Sequence, residues 1–206
     1  MEIKRDFRFL YPSPSPFKER GTKGVRYKMR DKPTDFKCFL EQLISATAKI
    51  ESKYFHFPVA GAESTIYRER VYCYELYHQL RCTLGNEFPY TLDGEVDKKA
   101  HKIIEGNKKP DFIVHTLGIM EENLAVIEVK SKDAETQNIK VDIDKLIEFL
   151  KYYYRAIMLI YGDDENKVKS TRNEIDSLPE HSESILLLWH KEPGKPAEEY
   201  SNARTA

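Results

Sequence analysis

Apolar positions along the chain change their period in a way that separates helices from strands. From Pro33 onward, Phe36, Phe39, Leu40, Leu43, Ile44, Thr47 and Ile50 recur at steps of three and four, which predicts a helix over about 34–53 with Thr34 or Asp35 as its N-cap. His56 to Thr65, with Pro58 and Gly61, reads as a loop. A second helix over about 66–84 presents Val71, Leu76, Leu80 and Leu84, and Gly85-Asn86 stops it. The period then shortens to that of strands at Tyr90–Val96, Pro110–His115 and Leu124–Lys130. The last two are joined by Thr116–Asn123, a short connection containing Gly118, which predicts an antiparallel hairpin. A third helix over about 141–152 has Val141, Ile143, Leu146, Ile147 and Leu150 as its apolar face. A buried strand at Ala156–Tyr161, a polar helix at Asp163–Asp176 and a last strand at Ile185–Trp189 follow, and the tail from Lys191 reads as loose. This order predicts an α/β fold with a mixed central sheet covered by helices on both faces.

The 206 residues suit one domain, expected over 34–190 between an arm (1–33) and the tail (191–206). Its longest apolar runs fall far short of the ~20 residues that span a bilayer, so no membrane segment is expected. The N-terminus lacks the apolar stretch of a secretion signal. Cys38, Cys73 and Cys82 cannot all pair and have no zinc spacing, which points to packed thiols in a reducing cytoplasm.

Charge adds a feature that the average hides. The net charge is −1, from 33 Lys and Arg against 34 Asp and Glu. Residues 1–32 hold ten of those bases and four of the acids, leaving 23 bases and 30 acids to the rest. A basic arm interleaved with Phe7, Phe9, Tyr11, Phe17 and Tyr27 can follow a phosphate backbone and offer stacking surfaces. Its Pro-Ser-Pro-Ser-Pro stretch equally suits an extended arm with no such contact.

The chemistry concentrates in Lys109-Pro110-Asp111-Phe112-Ile113-Val114-His115 and Leu124-Ala125-Val126-Ile127-Glu128-Val129-Lys130. Side chains alternate along a strand, so Glu128 and Lys130 share a face. In the predicted hairpin Asp111 lies beside Glu128, while Phe112, Val114, Ile127 and Val129 pack the opposite face. Two carboxylates near the backbone carbonyl of Val129 are hard oxygen ligands suited to Mg²⁺, with Mn²⁺ a second choice. A divalent ion beside Lys130 suits phosphate-ester hydrolysis, the ammonium orienting the water or neutralising developing charge. Glu-x-Lys and Asp-x-Lys triplets also occur at Glu51, Asp97 and Glu165, in helical or polar surroundings. Only Glu128-Val129-Lys130 ends an apolar strand, where charges must be solvated, paired or metal-bound. The competing reading is a structural ion pair.

Pro110-Asp111 followed by Glu128-Val129-Lys130 resembles the motif of the PD-(D/E)XK nuclease superfamily, with its restriction-endonuclease-like fold. The resemblance covers about 66–161. It implies a first core helix at 66–84, a strand meander at 90–97, 110–115 and 124–130, a crossover helix at 141–152 and a parallel strand at 156–161. It also implies a metal-facing acid on the first core helix. Glu75 is the match, with His78, Gln79 and Cys82 on its helix face and Arg81 either touching phosphate or simply solvated.

Gly94-Glu95-Val96-Asp97 resembles another form of the motif's first half, but Asp97 stands thirty-one residues before Glu128 and is followed by a polar run. Glu95, Asp97 and His101, with His78, are therefore supporting candidates around the site. Lys108 and Lys109 stand at its mouth as phosphate contacts, joined by Gln79 and Arg81. The expected activity is Mg²⁺-dependent cleavage of nucleic acid, DNA first, by an endonuclease of defence (phage defence among its settings), repair or recombination. A homodimer or a larger defence or repair complex is its expected setting. The alternative is a nuclease-fold protein that binds nucleic acid or partners without chemistry.

Overall fold

The computed structural model describes residues 31–61, 64–95 and 109–202. Most of the basic arm, with Asp97, His101 and Lys108, lies outside the described residues. The chain runs α1 (Lys32–Thr47), α2 (Ser52–Phe55), β1 (Phe57–Pro58), β2 (Thr65–Ile66), α3 (Glu69–Leu84), β3 (Thr91–Gly94), β4 (Phe112–His115), β5 (Ala125–Ser131), α4 (Thr136–Leu150), β6 (Arg155–Tyr161), α5 (Glu165–Asp176), β7 (Ile185–His190) and β8 (Glu198–Glu199). β1 and β2 form a small hairpin of their own, and the other six strands make one sheet in the order β3-β4-β5-β6-β7-β8. β3-β4, β4-β5 and β7-β8 are antiparallel, whereas β5-β6 and β6-β7 are parallel. The predicted α/β architecture with a mixed, helix-covered sheet is present.

The sheet divides two apolar cores. Phe112, Val114, Ile127, Val129, Ile157 and Leu159 face α1, α2 and α3. Ile113, Val126, Met158 and Ile160 face α4 and α5, through Ile139, Ile143, Leu146, Phe149, Val168 and Ile175. Both parallel crossovers thus place their helices on one face, leaving the other to the N-terminal helices. α5 starts where the Asp164 carboxylate accepts the Lys167 N–H at 3.0 Å, and α3 stops at Gly85, whose φ of +67° suits a residue without Cβ.

The first helix starts at Lys32 with Asp31, not Thr34 or Asp35, at its N-cap, and four larger differences from the sequence reading follow. The first predicted helix divides at Thr47, where the buried hydroxyl donates to the Ile44 carbonyl at 2.7 Å and accepts the Ala197 N–H at 2.8 Å. This local bond competes with continuation of the helix. The second helix starts at Glu69, because Thr65 and Ile66 are drawn into the small hairpin. The third starts at Thr136, and its buried face is Ile139, Asp142, Ile143, Leu146 and Phe149, leaving Val141 exposed. Finally, the tail does not hang loose: β8 pairs with β7, and Ala197 is buried.

Thr47 joins this tail to α1. Thr47→Val keeps the shape but orphans the Ala197 N–H, and is expected to cost about 1–3 kcal/mol in a denaturant titration.

Candidate functional site

The antiparallel register pairs Phe112 with Ile127, which carries Asp111 opposite Glu128 at the end of the paired region. β4 begins one residue after Asp111, and its side chain takes over the pairing role: Oδ2 accepts the Val129 N–H at 2.7 Å. Val129, expected to offer its carbonyl, thus commits its N–H to holding Asp111. Glu128 is 1% exposed in the middle of β5, between Ile127 and Val129. Burial pushes its carboxyl well above the usual carboxylate range, and the neighbouring charge of Asp111 adds to the shift. Burial also raises Asp111, against the Val129 N–H that favours its anion.

Two lysines cross this acidic pair. Lys145 of α4 places Nζ 2.8 Å from Glu128 Oε1 and 2.9 Å from Asp142 Oδ1. Lys130 places Nζ 2.8 Å from the other Asp142 oxygen and 3.2 Å from Glu69 Oε2. Glu69, in the first turn of α3, also accepts the Ser131 N–H at 3.2 Å and so fixes the end of β5. Burial alone would lower the Lys130 ammonium, but the hydrogen bond and charge of Asp142, with Glu69 and Asp111, hold it above the ordinary lysine value. Lys130 is therefore a permanent cation here and can orient or neutralise, not accept a proton. The same balance raises Lys145, through Glu128 and Asp142.

With all four acids ionised, Asp111, Glu128, Glu69 and Asp142 outweigh the two lysines by two negative charges, the charge of one divalent cation. Glu128 Oε1 is buried, and the partner that faces it is the Lys145 ammonium at 2.8 Å. A buried carboxylate oxygen balanced by one cation fits a hard cation in its place, and Asp111 and Glu128 are the residues that would hold it. Among the described residues, no three His, Cys, Asp or Glu side chains converge as a ready metal cage.

The other expected residues are spread around this cluster. Cys73 lies among the acids: after burial, the charges of Asp111, Glu69 and Glu128 help to push its thiol well up. Glu75, two residues on and thus roughly 200° around the helix, is turned away from that side. It accepts a hydrogen bond from Gln79 at 2.7 Å, so the acid that α3 brings to the site is Glu69, not Glu75, and Gln79 is committed to Glu75. His78 and Arg81 are exposed on α3. Glu95, at the end of β3, pairs with Arg70 at 3.2 Å. Lys109 is exposed, and its carbonyl is 3.4 Å from Lys145 Nζ.

Asp111 also lines a cleft of about 430 Å³ with Cys73, Tyr74, Tyr77, Gly94 and Phe112, where Tyr74 is 62% exposed. A smaller hollow of about 280 Å³ is lined by Lys130, Glu69 and Asp142. The cluster is thus reachable from solvent although Glu128 itself is buried. No helix among the described residues is long and apolar enough to cross a membrane. Compared with protein-family models, curated proteins and solved structures, the chain matches none of them.

Proposed function

We propose that this chain is a metal-dependent phosphodiesterase acting on nucleic acid, a DNA endonuclease of the PD-(D/E)XK type with a restriction-endonuclease-like core. The observation that carries the reading is the side-by-side pair of half-buried Asp111 and buried Glu128, with a lysine fixed as an ammonium two residues beyond Glu128. The order α3, antiparallel β3-β4-β5, α4, parallel β6 supports the core assignment.

Asp111 and Glu128 would hold a Mg²⁺ or Mn²⁺ ion, with Asp111 oriented by the Val129 N–H, and such an ion would supply Lewis acidity to the phosphoryl oxygen and the attacking water. Lys130, clamped by Asp142 and Glu69, positions the water and offsets charge developing on phosphorus. The cleft beside Asp111 admits the substrate strand, and exposed Tyr74 offers a base a stacking surface. Lys109 and the basic arm supply attraction for phosphates. A role in defence, repair or recombination follows by analogy of activity alone.

Titrating Mg²⁺, Mn²⁺ or Ca²⁺ into the purified protein is expected to raise its melting temperature, because a ligand held by the fold and not by the unfolded chain stabilises by mass action. At a hundredfold excess over Kd the gain is about 2.7 kcal/mol. No shift, together with intact plasmid and single-stranded DNA, would overturn the reading.

The contact of Lys145 with Glu128 favours a second reading, in which the acids are neutralised internally and the protein binds nucleic acid or partners without cutting. Metal-independent nucleic-acid binding with no cleavage is the result expected of it.

A further inference from the structure

Lys145 is unaccounted for by the Asp, Glu and Lys of the motif strands, yet it is the cation nearest to their buried carboxylate. It projects from α4, on the far side of a crossover, to within 2.8 Å of Glu128 Oε1. Its other contacts are Asp142 Oδ1 at 2.9 Å and the Lys109 carbonyl at 3.4 Å. Its side chain is 16% exposed, so an unpaired ammonium there would be costly. Lys130, by contrast, is held by two carboxylates that are not the motif pair.

A divalent cation held by Glu128 would compete with the Lys145 ammonium for the same carboxylate. Two cations cannot share one buried oxygen cheaply: like charges at this separation repel by several kcal/mol even at an effective dielectric near 20. Lys145 must then give up Glu128. Asp142 keeps one hold on the ammonium at 2.9 Å, and the side released from Glu128 needs a new anionic partner. Lys130 cannot turn to meet a phosphate without leaving Glu69 or Asp142, whereas Lys145 becomes free to do so.

We propose that Lys145 is an exchangeable counter-cation: it neutralises Glu128 until a divalent cation takes that carboxylate, and it then contacts the phosphate of the nucleic acid being cut. This rests on the nuclease reading above. It extends that reading by giving one residue opposite effects on the two halves of the reaction, metal loading and turnover.

Lys145→Met keeps much of the stem and removes the charge. Melting curves across a Ca²⁺ or Mg²⁺ series are expected to show half-maximal stabilisation at a metal concentration at least about tenfold lower than in the natural protein, the low end for close charge pairs. Plasmid cleavage at saturating Mg²⁺ is expected to fall by about 10²-fold. Lys145→Arg, which keeps the charge, is expected to retain the natural metal midpoint and part of the cleavage; it provides the comparison if the methionine variant does not fold. A merely structural lysine would lower metal affinity and cleavage together.

The outcomes separate the two claims. A metal response in the natural protein, with no gain in Lys145→Met or with a gain of the same size in Lys145→Arg, overturns the exchange and leaves the nuclease reading standing. A response that appears only in Lys145→Met supports the exchange, with Lys145 outcompeting the metal. No response in either protein overturns both.

Discussion

Asp111→Asn, Glu128→Gln and Lys130→Met are each expected to cut nucleic acid at least about 10³-fold more slowly than the natural protein, the loss of several kcal/mol of electrostatic stabilisation at phosphorus. The three should differ in a second measurement. Asp111→Asn and Glu128→Gln remove the charges that hold the cation, so the metal-dependent rise in melting temperature should vanish with the cleavage. Lys130→Met leaves both carboxylates in place and should keep that rise. It also leaves Glu69 and Asp142 without their shared ammonium, so a lower melting temperature without metal accompanies it. Glu128→Gln leaves the Lys145 ammonium with Asp142 as its one charged partner, so a lower melting temperature without metal accompanies that change too. Undiminished cleavage in all three folded proteins would sink the assignment.

Below neutral pH the protein is expected to lose about 3 kcal/mol of stability through a residue on the opposite core, His190 at the end of β7. Its ring is fully buried between Phe55 and Tyr72 and shares a 2.7 Å hydrogen bond with the Tyr72 hydroxyl. Burial lowers its pKa from 6.5 to about 4. The unfolded chain therefore binds a proton below about pH 6.5 that the folded protein refuses until about pH 4. The contribution is full above pH 6.5, falls through that window and is gone at lower pH, at about 1.4 kcal/mol per unit. Chemical denaturation from pH 8 to pH 4 measures it. His190→Phe should flatten the slope while lowering stability at pH 8 by about 1–3 kcal/mol, the cost of orphaning the Tyr72 hydroxyl. An unchanged slope in that variant would refute the assignment to His190.

Asp111, Glu128 and Lys130 were legible because a strand's two-residue period and one short hairpin fix which side chains are neighbours. Their partners required helix rotation, which depends on where a helix starts. Placing the crossover helix at 141 put Val141 on the core and hid Asp142, although Ile139, Asp142, Ile143, Leu146 and Phe149 form one stripe once the helix begins at Thr136. An acid within such a stripe is the available signal, since burying it demands a cation. Lys145, three residues on, and Lys130 of β5 are the cations that meet it. The same dependence on rotation holds on α3, where Glu69 in the first turn, and not Glu75, lies on the side of Cys73. The tail carried no periodic signal, because two residues of pairing and one buried alanine are too little to set a pattern.

β8 is only Glu198 and Glu199, yet it lies along β7, whose Ile185-Leu186-Leu187-Leu188-Trp189 run is strongly apolar. A chain cut after Lys191 would lose those two residues and the Tyr200 N–H bond to the Leu187 carbonyl. It would expose an open, uncharged sheet edge that can recruit the same edge of another copy. The short acidic strand therefore acts as a guard against aggregation, and trimming this end for crystallisation or expression should reduce soluble yield before it affects anything at the carboxylate cluster.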